Sequence, residues 1–258
     1  MKICFLNPFG TDAYDEIIGT VLKGSLLPDT TLEIRHLDAG PRNLDYYAPK
    51  QVVQVEILKA VKQAEVDGFD AVVIGCCYDP ALTEARELVS IPVIGPLESS
   101  VGLARPFGHR FAIVTDHHKA VPMLQDTIRI YGAEPNCVGV ESIGWFVDDM
   151  VLDPVAVAED TYLKILDVMH RTGAETVIVG CTIVSACYEL AAANGDSKFS
   201  ELSVVNPNIM AVKAAELFAQ LNSRGMYRIS RAAFYQALSS HDPIEAAEVA
   251  PYFQSTRV

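Results

Sequence analysis

Two short apolar runs constrain this chain more than any other feature. Residues 71–76 read Ala-Val-Val-Ile-Gly-Cys, and residues 176–181 read Thr-Val-Ile-Val-Gly-Cys. Both are β-branched, lack polar alternation and close on a glycine, as a strand buried on both faces of a parallel sheet does. Residues 80–89 have helical character, so Cys76 and Cys77 fall at a strand-to-helix turn. In open α/β sheets that turn lies at the carboxyl ends of the strands, where ligands bind. A chain carrying this device twice is expected to hold two similar units.

The flanking sequence fits that expectation. Residues 2–6 form an apolar strand, and Asn7, Pro8, Phe9, Gly10 and Thr11 make a loop of turn formers. A helix follows from Tyr14, with Ile17, Ile18, Val21 and Leu22 on one face. Leu32, Ile34 and His36 alternate with charged residues, which suits a strand near a sheet edge. Residues 39–50 make a long connection, and long loops often carry function. Residues 51–67 predict an amphipathic helix ended by Gly68, with Val52, Val55, Leu58 and Val61 near helical spacing. Residues 91–95 are a fourth strand. The second half repeats the scheme: a strand at 110–115, a helix at 119–131 carrying Val121, Leu124, Ile128 and Ile130, and a weaker strand at 137–140. A helix at 154–172, the strand at 176–180 and a strand at 202–205 complete it.

Spacing supports a duplication. Asn7 and Cys76 are 69 residues apart, and Thr115 and Cys181 are 66 apart, so each cysteine follows the third strand of its half. The expected fold is α/β, with two pseudosymmetric lobes, each a mainly parallel four-stranded sheet flanked by helices. The active site is expected in the cleft between them, with one thiol on each wall. Lobe 1 is expected over 1–95, completed by a C-terminal helix at about 208–225, and lobe 2 over 96–207. Residues 226–258 are expected to form an extension serving as a surface or oligomer-contact element.

Composition narrows the function. Half of the 258 residues are hydrophobic, enough for a substantial core. The excess of 33 acidic over 20 basic residues, a net charge of −13, disfavours nucleic acid and anionic membrane as partners. No apolar run approaches the roughly 18 residues of a membrane span, and no leader pattern opens the chain, so a cytoplasmic location is expected. Cys4, Cys76, Cys77, Cys137, Cys181 and Cys187 are too few for a disulfide framework and lack the Cys-x-x-Cys spacing of a zinc site. Free thiols and no metal are expected.

A cysteine at a helix N-terminus meets unpaired backbone N–H groups and the positive end of the helix dipole. That setting is expected to lower the thiol pKa and make a thiolate accessible at neutral pH. Two such thiols across a cleft suit removal of a proton from one face of a carbon and its return from the other, without a cofactor. The same N–H groups can stabilise enolate-like charge. Cysteine is also a common core residue, and Cys4, Cys137 and Cys187 are read as packing. Cys77 points away from Cys76 if the backbone stays extended, which favours packing, though it adjoins the site.

With Asn7-Pro8, Cys76-x-x-Asp79-Pro80, Ile94-Gly95, Gly180-Cys181 and the Val212-Lys213 helix in view, the chain resembles the cofactor-independent two-cysteine racemases of the aspartate/glutamate/hydantoin racemase superfamily. Its nearest likeness there is to hydantoin and allantoin racemases. The resemblance implies that Cys76 and Cys181 are the acid/base pair. It also has departures: Phe9, Gly10 and Thr11 stand where Asn-Thr-Thr is common, Tyr78 replaces a residue that is often small, and the second motif reads Gly-Cys-Thr-Ile-Val-Ser. These leave room for a bulkier or flatter ligand touched by Phe9 and Tyr78.

Asn7, Thr115 and Thr182 are further substrate-binding candidates, each also readable as a turn or strand-end residue. Asp79 before Pro80 reads as an N-cap. Ser99 and Ser100 read as helix caps, His117 and His118 as surface residues, and Glu98 and Asp116 as groups able to orient a thiol or a substrate amine. The expected activity is racemisation or epimerisation of a small carbon acid, hydantoin-type rings first and amino acids second, by a homo-oligomer acting on a small-molecule substrate. A maleate-type cis-trans isomerase using a cysteine nucleophile is the rival within the superfamily. The decarboxylase branch fits less well, because it keeps only the second cysteine. A noncatalytic two-lobed binding protein is the rival from another class, with a thiol-redox protein more remote.

Overall fold

A computed structural model describes residues 1–42, 44–195 and 197–254. Asn43, within the predicted long loop, and residues 255–258 of the predicted extension lie outside the described residues. The first half alternates β1 (Lys2–Asn7), α1 (Asp15–Lys23), β2 (Thr31–His36), α2 (Tyr47–Val66), β3 (Ala71–Ile74), α3 (Leu82–Leu88), β4 (Val93–Ile94) and α4 (Pro96–Leu103). The second half runs β5 (Phe111–Thr115), α5 (Ala120–Ile130), β6 (Cys137–Ser142), α6 (Val147–Met150), α7 (Pro154–Thr172), β7 (Thr176–Val179), α8 (Thr182–Ala193), β8 (Val204–Val205) and α9 (Pro207–Ser223). The last helix is α10 (Pro243–Val249).

Two sheets result, ordered β2-β1-β3-β4 and β6-β5-β7-β8, with every pairing parallel. The orders are identical four strands apart, so the duplication read from the spacing is present in the topology. β3 and β7 are buried at every position because helices cover both faces of each sheet. In lobe 1, Cys4, Leu6, Val72 and Ile74 face Val53, Ile57 and Val61 of α2, while Ile3, Phe5, Ala71 and Val73 face Ile18 and Leu22 of α1 and Ala211, Val212 and Ala215 of α9. This is the period-2 alternation of a strand expressed as two cores. In lobe 2, α5 supplies Leu124 and Ile128 to one face, and α7 supplies Ala158, Ile165 and Val168 to the other. The chain thus returns at α9 to pack on the sheet of the first lobe.

Several elements differ from their sequence reading in phase or length. β2 lies at a sheet edge as expected. Helix α2 starts at Tyr47, four residues early, and Val52 and Val55 are exposed while Val53, Ile57 and Val61 carry the buried face. Adjacent valines at 52 and 53 permit either phase, and contact with the sheet selects one. Ile130 is likewise exposed at the end of α5. In the extension, the Arg231 guanidinium donates to the carbonyls of Arg86, Glu87 and Val89. It thereby satisfies the orphan C=O groups at the end of α3 and straps the extension to lobe 1. Among the described residues no helix is long and apolar enough to cross a membrane.

Candidate active site

Each cysteine is placed by the glycine before it. The Gly75 N–H donates to Leu6 O (2.8 Å) and the Gly180 N–H to Val114 O (2.7 Å), so both glycines end a strand against the central strand of their sheet. A Cβ on Gly75 would run into the Phe5 ring, and one on Gly180 would come 2.6 Å from Ile113 Cγ2. Glycine is required at both positions by this close approach. The carbonyl of each glycine is held by a threonine hydroxyl from lobe 2: Thr182 Oγ1 donates to Gly75 O (3.1 Å), and Thr115 Oγ1 to Gly180 O (3.0 Å).

The two thiols then enter one small cavity between the lobes. Phe9, Leu44, Asp45, Cys76, Cys77, Tyr78, Asp116, Val147, Gly180, Cys181 and Thr182 line it, and its volume is about 10 Å³, room for roughly one water. Of the residues singled out from the sequence, Cys76, Cys181, Phe9, Cys77, Tyr78 and Thr182 therefore meet here. Cys77 also packs on Leu97, Phe111 and Ile113, its Sγ 3.9 Å from Val179 O, so it is both core and wall. Asn7 and Thr115 do not line the cavity. The Asn7 amide donates to Asp15 (2.5 Å), and Thr115, besides holding Gly180, donates to Asp116 Oδ1 (3.0 Å).

Expectations about neighbouring residues need correction. His117 is fully buried, whereas His118 is exposed. The His117 ring stacks on Phe146 at 4.9 Å, and its Nε2 lies 3.2 Å from both Tyr78 Oη and Asp45 Oδ1. Only tertiary structure brings these partners to it. Asp79 does not cap the helix that follows it. Its carboxylate accepts from Leu97 N (3.1 Å), Glu98 N (2.8 Å) and Tyr131 Oη (2.7 Å), so it caps α4 from across the fold. Glu98 points away from the thiols and pairs with Arg86. The Ser100 hydroxyl donates to Pro96 O within α4 and caps nothing.

The helix-terminus argument holds for one thiol only. Cys181 is the N-cap of α8, with the backbone N–H groups of that helix's first turn beside it. Cys76 is followed by a turn before α3 begins at Leu82. That turn holds Asp79 and Ala81 at φ 45° and 56°, the positive-φ non-glycine residues among those described. Such conformations cost roughly 1 kcal/mol or more each and cluster at functional turns. The expected fall in thiol pKa is also overturned. Burial pushes Cys76 up to about 12 and Cys181 well above its ordinary value, because in the closed cavity desolvation of a thiolate outweighs its backbone donors.

Sequence reasoning passed over Leu44, Asp45, Val147 and Lys50. Leu44, Asp45 and Lys50 belong to the loop that its length had marked as functional, whereas Val147 belongs to a stretch without a motif. Asp45 Oδ2 accepts from Val147 N (3.3 Å), Tyr47 Oη donates to Lys119 O (2.9 Å), and the Tyr46 and Phe146 rings stack at 6.3 Å. These contacts clasp the loop to lobe 2 over the cavity. One group of metal-ligand type occurs among the described residues: Asp45, Asp116 and His117 each bring a donor atom within 4.8 Å of the others. Asp116 Oδ1 already accepts from Thr115 and from the His117 N–H, and Asp45 from Val147. The cluster reads as a hydrogen-bond network joining the lobes.

Fold and site together define a two-lobed α/β protein with one thiol from each lobe in a shared interlobe cavity. Residues 3–215 match the model of the Asp/Glu/Hydantoin racemase family, and the chain belongs to that family. It is 32% identical over 221 residues to a hydantoin racemase of Rhizobium meliloti, covering 84% of this chain and 88% of the relative. It is 30% identical over 226 residues to a hydantoin racemase of Pseudomonas sp. (strain NS671), covering 87% and 88%. Its fold matches an allantoin racemase from Klebsiella pneumoniae at a TM-score of 0.82, with 23% identity over 92% of this chain and 93% of that one. These relatives support an isomerase of the racemase type.

Proposed function

We propose that the protein is a cofactor-independent racemase or epimerase of a small carbon acid, with Cys76 and Cys181 exchanging the roles of base and acid. The observation that carries this reading is the meeting of one strand-end thiol from each lobe in a single cavity. The thiolate on one wall takes the proton from the substrate carbon and becomes a thiol, and the thiol on the other wall returns a proton to the opposite face and becomes a thiolate. Charge delocalised onto the neighbouring carbonyl is met by N–H groups of the first turn of α8. Substrate entry requires the clasp over the cavity to open, since about 10 Å³ holds no organic ring.

Wall chemistry ranks the substrates. Among the described residues, Asp45 and Asp116 line the cavity and neither lysine nor arginine does. Two buried acidic groups accept N–H donors and repel carboxylates. A hydantoin-type ring, neutral and rich in N–H, suits this wall better than an amino acid, and maleate suits it least. Phe9, Tyr78, Cys77 and Thr182 are the proposed contacts. Incubation of single-enantiomer 5-substituted hydantoins and amino acids in D2O should place solvent deuterium at the reacting carbon. Absence of exchange with every substrate would overturn the racemase reading, and conversion of maleate to fumarate would replace it with the nucleophilic isomerase.

A further inference from the structure

Two polar groups on the wall of the interlobe cavity keep hydrogen-bonding capacity that the protein does not use. Asp45 is buried, 2% exposed, and its Oδ2 accepts from Val147 N (3.3 Å). Its Oδ1 lies 3.2 Å from His117 Nε2 but off the line of a hydrogen bond, and has no hydrogen-bond partner among the described residues. Tyr78 Oη lies 3.2 Å from the same nitrogen and meets no other hydrogen-bond partner among those residues. The Tyr78 ring is held in place by Lys50, whose Nζ sits 3.6 Å above its centre and 3.6 Å from Met123 Sδ. Both Asp45 and Tyr78 line the cavity.

The position of one ring proton decides what these groups can do. His117 is fully buried and its Nδ1 has no hydrogen-bond partner among the described residues. A proton there would be a buried donor without an acceptor, and the Nε2 lone pair would face the Asp45 carboxylate. A proton on Nε2 instead meets Tyr78 Oη and faces Asp45 Oδ1, with Asp116 Oδ1 3.9 Å away. Hydrogen-bond accounting therefore selects Nε2. Tyr78 Oη is then the acceptor of that contact, and its own O–H is left without an acceptor in the protein. Burial pushes the Tyr78 hydroxyl pKa up, so the group keeps its proton. A free donor and a free acceptor thus stand side by side, anchored on one nitrogen.

Resting on the racemase reading above, we propose that Tyr78 and Asp45 form a specificity pair that reads the adjacent C=O and N–H groups of a cyclic amide. The Tyr78 O–H donates to the substrate carbonyl, and Asp45 Oδ1 accepts from the neighbouring N–H. His117 is the positioning residue that keeps the Tyr78 proton free. A neutral ring with this edge satisfies both groups at once and brings no charge into the cavity. The carboxylate of an amino acid would instead meet Asp45. A site built to hydrogen-bond its ligand rejects analogues that lack the matching group. Tyr78 therefore acts through its hydroxyl as well as its ring.

Long-range proton–nitrogen NMR of the nitrogen-labelled protein reads the His117 tautomer without any ligand. The wild type should carry the proton on Nε2. In Asp45→Asn the Val147 N–H retains the side-chain oxygen, the amide N–H group turns to His117, and the ring proton should move to Nδ1. Calorimetric binding of hydantoin and its N1-methyl and N3-methyl derivatives then reads the pair. The wild type should bind hydantoin about tenfold more tightly than one of the two derivatives, and Asp45→Asn should erase that preference. Tyr78→Phe should weaken hydantoin roughly tenfold and keep the preference. A wild-type proton on Nδ1, no binding of hydantoin, or equal binding of all three compounds would overturn the proposal. So would a preference that survives in folded Asp45→Asn, as crowding by the methyl group alone predicts, or full affinity in Tyr78→Phe. If Asp45→Asn does not fold, the wild-type tautomer and Tyr78→Phe decide. Binding needs no turnover and deuterium exchange tests the racemase reading separately, so either idea can fail alone.

Discussion

The turns after β3 and β7 begin alike and end differently. Both close a buried strand with a glycine that cannot carry a side chain, both hold that glycine's carbonyl with a threonine hydroxyl, and both then present a cysteine. After Cys181 the chain enters α8 at once. After Cys76 it passes through a left-handed detour at Asp79 and Ala81 before α3. The shared frame sets where each sulfur sits, and the divergent continuation sets what surrounds it. Duplicated positions can therefore become inequivalent electrostatically while remaining superimposable in the sheet.

The comparison is broken most severely at the thiols. Cys76→Ala and Cys181→Ala should each lower racemisation by about 10²- to 10⁴-fold, the usual worth of a proton-transferring side chain. Retention of activity in either variant, measured by polarimetry, would sink the two-base mechanism. Gly75→Ala and Gly180→Ala test the shared frame. Each should cost roughly 1–3 kcal/mol in urea unfolding, because the new methyl has to displace Phe5 or Ile113.

Asp79 belongs to the lobe 1 turn alone, and it gives that turn a pH dependence. Burial raises its carboxyl from 3.8 to about 6 in spite of three donors. The protonated form is thus favoured on folding, and the stability it contributes is complete below about pH 4 and lost as pH rises through 6. Relative to Asp79→Asn, the wild type should lose on the order of 2–3 kcal/mol between pH 4 and pH 7, read from denaturation at each pH. A pH-independent difference would show that Asp79 titrates normally. The smallest effect is expected from Thr182→Val, which removes the hydroxyl holding Gly75 across the lobes and should cost roughly 1 kcal/mol. Thr115→Val, acting within lobe 2, should cost a similar amount, and only Thr182→Val should also change KM.

Much of the site was legible because strand ends are local. A β-branched run, a glycine and a cysteine predict a thiol at the carboxyl edge of a sheet, and two of them at matched offsets predict a shared cleft. His117 was not legible, since the sequence places it at an exposed-looking strand end beside His118. Its burial comes from Phe146, Asp45 and Tyr78, which are distant in sequence. Lys50 was hidden for the same reason: in a loop a lysine reads as solvated, and only the early start of α2 at Tyr47 and the tertiary packing set it over Tyr78.

Sequence alone was enough for the two lobes, their parallel four-stranded sheets and the strand-end positions of both cysteines. Those features follow from hydrophobic periodicity and from the steric demand for glycine, which act over a few residues. Tertiary structure alone decided the charge around each thiol, the clasp over the cavity and the upward shift of both thiol pKa values. These depend on desolvation and on partners brought together from both lobes, quantities that no single stretch of the chain contains.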